Sequence, residues 1–240
     1  MILLFTDFGW QGPYLGQMEF VLRKMVPNVD VINLMCDAPF GKPLPSAYML
    51  AALSSSQPGY AIWVCVVDPG VGGDRLPVVL KADEQWFVGP ENGLLNMVAR
   101  RAEKVQWWTI EWCPKKLSSS FHGRDLFAPV AARLAKNNDI SGLRPFDGPD
   151  LSAWPRDLLE IIYIDHYGNA MTGLRDTALL KDKLLVINEH KVSSADTFCS
   201  VPVGEVFWYK NSIGLVEVAV NQGRADEHLS LLVGNQFYLQ

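Results

Sequence analysis

A change of hydrophobic period divides this chain in two. Up to about residue 137, short apolar runs alternate with stretches whose apolar residues recur at helical spacing. Beyond that point the helical spacing almost vanishes. Ile2–Thr6, Val29–Leu34, Tyr60–Val67, Pro77–Ala82, Trp86–Gly89 and Val105–Ile110 read as strands, with Asp83-Glu84 as the turn of a hairpin. Between them, helical stripes run over Tyr14–Met25, Ser46–Leu53, Leu94–Ala102 and Leu126–Lys136, the first led in by Pro13. Strands alternating with helices predict an α/β domain with a mainly parallel sheet flanked by helices, over residues 1–140. Residues 141–157, in a stretch rich in Pro, Gly and Asp, read as a linker. From 158 to 240 the apolar runs Leu159–Ile164, Leu184–Ile187, Glu205–Tyr209, Leu215–Val220 and Gln236–Leu239 are separated by turn residues. They predict a smaller all-β, barrel-like domain.

Charge and cysteine usage narrow the function. The 240 residues carry a net charge of −5 and no basic block, which argues against a nucleic-acid surface. No uninterrupted apolar run approaches the ~20 residues of a membrane span, and the N-terminus lacks the basic flank of a secretion signal. The four cysteines (Cys36, Cys65, Cys113 and Cys199) form no CxxC pair. A reduced, cytoplasmic, soluble protein without membrane or nucleic-acid partners is the expectation.

Five polar clusters share one design, an abrupt polar residue with glycine beside it. They are Thr6-Asp7-Phe8-Gly9, Asp68 to Arg75, Phe121-His122-Gly123-Arg124-Asp125, Asp165-His166-Tyr167-Gly168-Asn169 and Asn211-Ser212-Ile213-Gly214. Asp7 and Asp68 each end an apolar run, so each is expected at the C-terminal end of a strand. In open α/β sheets that edge holds the ligand crevice. Each cluster alone is also what an ordinary turn or helix cap looks like. Five in one chain favour a common site.

In order, the segments TDFG, VVDPGVGGDR, VGPENGLL, FHGRDLFAPVAA, IDHYGNAMT and NSIGLVEVAVNQG resemble the S-adenosylmethionine hydroxide adenosyltransferases, relatives of the fluorinase and chlorinase enzymes. The resemblance spans nearly the whole chain. It implies hydrolysis of S-adenosyl-L-methionine to adenosine and L-methionine by attack of water or hydroxide on ribose C5′. It also implies that Asp68, Arg75 and His122 surround that water as a catalytic triad. Arginine cannot act as a base at neutral pH, so its role there is to orient Asp68. Either Asp68 or His122 could take the proton. Asp7 matches the residue that grips both ribose hydroxyls, a task suited to two acceptor oxygens. Phe40 matches an aromatic packed on the ligand, in a Pro39–Pro45 loop one residue longer than the usual pattern. Asp165, Tyr167 and Asn169 match groups around the methionine ammonium and the adenine. Asn211, Ser212 and the backbone near Gln222 match groups that close over the adenine or the carboxylate. The halide-using relatives carry tyrosine where this chain has Asp68. A carboxylate repels a halide, which favours water. The resemblance further implies a homotrimer with sites between subunits, and neither cofactor nor metal.

Two other readings stay open from the residues alone. A non-catalytic binder of S-adenosylmethionine or adenosine would use the same pocket but has no need of Asp68, Arg75 and His122 together. A metal-dependent nucleoside hydrolase would need clustered carboxylates after the first strand, where this chain has Gly12 and Pro13.

Overall fold

The computed structural model describes residues 1–57, 59–177, 180 and 183–240. The chain divides into two compact units, one of Met1–Ala51 with Gln57–Trp154, the other of Pro155–Gln240 with Ala52–Ser56.

The first unit is built on a seven-stranded sheet. In chain order its elements are β1 (Ile2–Thr6), α1 (Tyr14–Met25), β2 (Val31–Met35), α2 (Pro43–Ser56), β3 (Ile62–Val66), β4 (Pro77–Ala82), β5 (Gln85–Pro90), α3 (Asn96–Arg101), β6 (Val105–Ile110), α4 (Ala128–Asn137) and β7 (Leu143–Phe146). The strand order is β2-β1-β3-β5-β4-β6-β7. The pairs β2–β1, β1–β3 and β3–β5 are parallel. The β4–β5 hairpin turns at Asp83-Glu84 as expected, with Ala82 opposite Gln85, and it leads into an antiparallel edge.

Every residue of β1 and β3 is buried, the signature of strands covered on both faces. On one face Ile2, Leu4, Ile62, Val64 and Val66 pack with Met18 and Leu22 of α1 and with Val130 and Leu134 of α4. Residues 46–52 of α2 are all buried, as a helix apolar on every side must be. The expected linker is partly structured. Leu143–Phe146 pairs with β6, and Trp154 stacks on Tyr48 with ring centroids 6.4 Å apart. Composition concealed this because Pro145 belongs to an edge strand, where a missing N–H costs nothing.

The second unit holds two antiparallel sheets. One has the order β12-β13-β9-β8, from β8 (Leu158–Ile164), β9 (Ala170–Arg175), β12 (Val206–Lys210) and β13 (Leu215–Val220). The other has the order β11-β10-β14, from β10 (Leu185–Ile187), β11 (His190–Val192) and β14 (Tyr238–Leu239). Leu185, Ile187, Val192, Trp208, Val216 and Val218 share its core. Strand β9, unmarked in the sequence, lies inside the first sheet. Its Gly173 sits opposite Leu158, and a Cβ there would lie 2.6 Å from the Leu158 Cβ. The glycine that lets β8 approach is also what weakens the strand signal.

Candidate active site

The two sequence-marked aspartates stand side by side on the parallel half of the first sheet. β1 and β3 are in register, Thr6 opposite Val66, so Asp7 and Asp68 emerge at neighbouring carboxyl ends. Behind Asp68 the chain folds back through two tight turns. The Val71 N–H donates to the Asp68 carbonyl at 3.2 Å, and the Gly73 N–H to the Gly70 carbonyl at 3.0 Å. Arg75 is thereby returned to Asp68. Its Nε donates to Oδ1 at 3.1 Å and to Oδ2 at 3.0 Å, and its Nη2 donates to Oδ2 at 2.6 Å. The side chains are only 3% and 10% exposed. The guanidinium also lies over the Phe127 ring, 5.4 Å from its centroid, a cation–π placement that fixes its plane.

His122 reaches the same arginine from another element. It precedes a π-helical turn, Gly123–Phe127, that runs into α4. Such widened turns recur at functional sites. Gly123 packs against β3 and α1, and a Cβ there would meet Met18 Sδ at 3.3 Å and Val66 Cγ2 at 3.5 Å. Asp125 accepts the Ser118 N–H at 2.9 Å and pairs with Arg124, which in turn donates to Gln17 Oε1 at 2.7 Å. The 68–75 loop rests on the 118–122 loop. Gly72 has φ +79°, and a Cβ on it would collide with the Ser119 carbonyl oxygen.

Arg75 Nη2 lies 2.8 Å from His122 Nδ1. Arginine only donates, so Nδ1 is the acceptor and the imidazole carries its proton on Nε2. Burial first, and then the charge of Arg75, push the His122 pKa below the ordinary histidine value, against weaker opposing pulls from Asp68 and Asp125. The ring is therefore neutral at pH 7 and fixed in one tautomer. It presents Nε2–H as a donor, while Asp68 presents unused acceptor positions.

Asp7 is half-buried, and its Oδ2 accepts the Gly41 N–H at 2.9 Å. Burial raises its pKa above the ordinary carboxylate value, the Gly41 bond opposes that, and the charge of Asp68 adds to the rise. Phe40, the residue before Gly41, is 85% exposed. Phe8, Tyr14 and Phe121 form a ring triad with centroids 5.4–5.8 Å apart, joining the residue after Asp7 to the residue before His122.

The second unit gathers the remaining marked residues around two turns. Asp165 Oδ1 accepts the N–H groups of Tyr167 and Asn169 at 2.8 and 2.9 Å, and Oδ2 accepts Asn169 Nδ2 at 3.1 Å. Asp165 thus builds its own turn, and Tyr167 is left with its ring exposed. Asn211 does likewise, its Oδ1 accepting from Ile213 and Leu215. Ser212 is exposed on that turn. Gln222 is exposed with φ 55°. The adjoining Arg224 bonds the His166 carbonyl at 2.9 Å, which ties the Gln222 loop to the Asp165 turn.

Glu217 was overlooked in the sequence, although a lone acid inside the apolar run Leu215–Val220 is a visible signal. It is 2% exposed and accepts Tyr209 Oη at 2.5 Å and Asn211 Nδ2 at 2.8 Å. Burial raises its pKa, the two hydrogen bonds oppose this, and Asp165 adds to the rise. Among the described residues, no three His, Cys, Asp or Glu side chains gather as ligands for a metal ion. No helix among them is long and apolar enough to cross a membrane.

Comparison with known proteins places this arrangement. The SAM hydroxide adenosyltransferase N-terminal domain matches residues 2–144, and the C-terminal domain of the same family matches residues 159–238. An (R)-S-adenosyl-L-methionine hydrolase from Salinispora arenicola is 34% identical over 248 residues, covering 96% of this chain and 94% of that protein. One from Thermus thermophilus is 32% identical, covering 97% and 96%. The crystal structure of an uncharacterized conserved protein from Thermotoga maritima superposes with a TM-score of 0.90 at 27% identity, covering 100% of this chain and 99% of that one. Matched over both its domains, the chain is a member of the SAM hydroxide adenosyltransferase family.

Proposed function

We propose that this chain hydrolyses S-adenosyl-L-methionine to adenosine and L-methionine. The observation that carries the reading is the unbroken contact Asp68–Arg75–His122, in which the arginine donates in both directions. A water between these groups finds an acceptor in Asp68 and a donor in His122 Nε2–H. It is thereby turned with one lone pair free for C5′, an orientation effect that lowers the barrier by aligning the nucleophile before the reaction begins. As the O–C5′ bond forms, the C5′–S bond breaks. Its electron pair goes to the sulfonium, which leaves as the neutral thioether of methionine. The proton of the attacking water passes to Asp68 and from there to solvent. Asp7, held by Gly41, takes the ribose hydroxyls, and Phe40 packs on the ligand. Asp165, Tyr167, Asn169, Asn211, Ser212 and the backbone near Gln222 hold the adenine and the amino-acid end.

The reading includes a homotrimer with sites between subunits, a cytoplasmic setting, and no metal or other cofactor. Purified protein is incubated with each sulfonium epimer separately, because the relatives' name specifies the R form. Adenosine and methionine are followed by chromatography in water enriched in oxygen-18, with and without chelator, and mass is measured by analytical ultracentrifugation. The expected result is stoichiometric adenosine with the label in its 5′-hydroxyl, insensitive to chelator, from a trimer. No adenosine at enzyme concentrations matching the substrate refutes the hydrolysis.

A further inference from the structure

The loop from Pro90 to Leu94 has no part in the chemistry above, yet it holds both ends of the segment that carries Asp68 and Arg75. Asn92 Nδ2 donates to the Val67 carbonyl at 2.9 Å. That carbonyl belongs to the peptide group whose nitrogen is Asp68's own. At the other end the Glu91 N–H donates to the carbonyl of Leu76, the residue after Arg75, at 2.8 Å.

Asn92 is itself fixed. Its Oδ1 accepts the Leu94 N–H at 3.2 Å. Turning the amide over would set oxygen against oxygen at Val67 and N–H against N–H at Leu94. The loop is wedged from both sides. A Cβ on Gly89 would lie 2.5 Å from the Cys65 carbonyl oxygen, and one on Gly93 would lie 2.8 Å from the Trp154 ring. Gly93 also has φ +96°, a conformation that glycine adopts without penalty.

The geometry points to Asn92 as the positioning residue of Asp68: its bond to Val67 fixes the peptide plane from which the Asp68 side chain springs, and so the direction of the carboxylate. This rests on the hydrolytic reading above. A carboxylate that swings on a loosened peptide plane still binds Arg75 but no longer meets the water at the attacking angle, and a displacement of about 1 Å is worth about a hundredfold in rate.

Asn92→Asp separates this role from turn building. It keeps an oxygen for the Leu94 N–H and replaces the donor to Val67 by an acceptor. The expected result is a kcat lower by about tenfold to a hundredfold, with the KM for S-adenosylmethionine and the Kd for adenosine within about twofold of the wild type, since the side-chain bonds of Asn92 go to the backbone of Val67 and Leu94 and Asn92 is not among the residues proposed to hold either ligand. Asn92→Ala, measured alongside, gives the same split. Retained adenosine affinity also reports that the site is folded. A kcat unchanged in both variants overturns the inference, as does a loss of kcat that runs in step with lost adenosine affinity. Asp68→Ala is assayed in parallel. If it is inactive while the Asn92 variants are fully active, only the positioning role fails. If Asp68→Ala turns over normally, the hydrolytic reading fails and the inference falls with it.

Discussion

Removing Asp68 strands a buried arginine. Arg75 is 10% exposed and all three of its short hydrogen bonds to a carboxylate end on Asp68. In Asp68→Ala the guanidinium keeps His122 Nδ1 and the Phe127 face but loses its counter-charge. Breaking a buried pair from one side costs about 3–5 kcal/mol, because the remaining charge stays desolvated. Arg75→Ala strands the carboxylate instead and costs about the same. Removing both leaves neither charge behind, so the double variant loses far less than the sum. A coupling energy of about 2–3 kcal/mol is expected. Urea unfolding followed by tryptophan fluorescence measures it, since Trp63 and Trp107 are buried in the same unit. Turnover does not recover with stability. With Asp68 as the proposed proton acceptor, its loss should lower kcat by about a hundredfold to ten-thousandfold, in the single Asp68 variant and in the double. Added formate, a free carboxylate, should restore part of the turnover of Asp68→Ala by occupying the space in front of Arg75. Additive stability losses, with coupling below about 0.5 kcal/mol, would show that the pair is not a buried unit and would refute the argument.

His122 fixes the acid side of the pH profile. Its folded pKa lies below the unfolded value of about 6.5, so its contribution to stability is complete above that pH and is lost as pH falls through the lowered value. Protonation would set two donors against each other at Arg75, so kcat should hold through the ordinary histidine value of about 6.5 and fall only at a lower pH. An acid limb above about pH 6.5 which vanishes in His122→Gln contradicts the tautomer assignment. Asp7→Asn should weaken adenosine and S-adenosylmethionine binding alike, by about tenfold to a hundredfold, the worth of a hydrogen bond to a charged acceptor. Calorimetry with both ligands checks it, and unchanged affinity refutes the ribose clamp. Glu217→Leu leaves the Tyr209 hydroxyl and the Asn211 amide unpaired inside the second unit and should destabilise by about 1–3 kcal/mol in denaturant. A neutral outcome would show that water replaces the carboxylate.

Much of the first unit was legible because its determinants are local. Apolar runs, a two-residue turn at Asp83-Glu84 and a terminal aspartate fix strands and their ends by steric and solvation rules that act within a few residues. Strand order is not local. That β5 lies between β3 and β4 rests on the parallel pairing of Ile62–Val64 with Trp86–Val88, a contact between distant segments about which periodicity carries no information. The π-helical turn at Gly123–Phe127 escaped notice because its apolar residues also fit an α-helical stripe. In the second unit, Asp165 and Asn211 were read as ligand groups from motif matching. The structure adds that the same side chains build their own turns. An Asx turn and a ligand-holding carboxylate have the same residue type at the same position and both accept hydrogen bonds, so the motif alone does not distinguish them.

The close seat of Gly72 on Ser119 has a bearing on how such a chain can vary. The loop bearing Asp68 and Arg75 and the loop bearing His122 are distant in sequence, yet neither has clearance to move without the other. Any side chain at position 72 meets backbone rather than a flexible tip. The two segments therefore pack as one part, and a redesign of either loop has to respect the seat of the other. Grafting the triad elsewhere would likewise require moving the contact at Gly72 along with the three side chains.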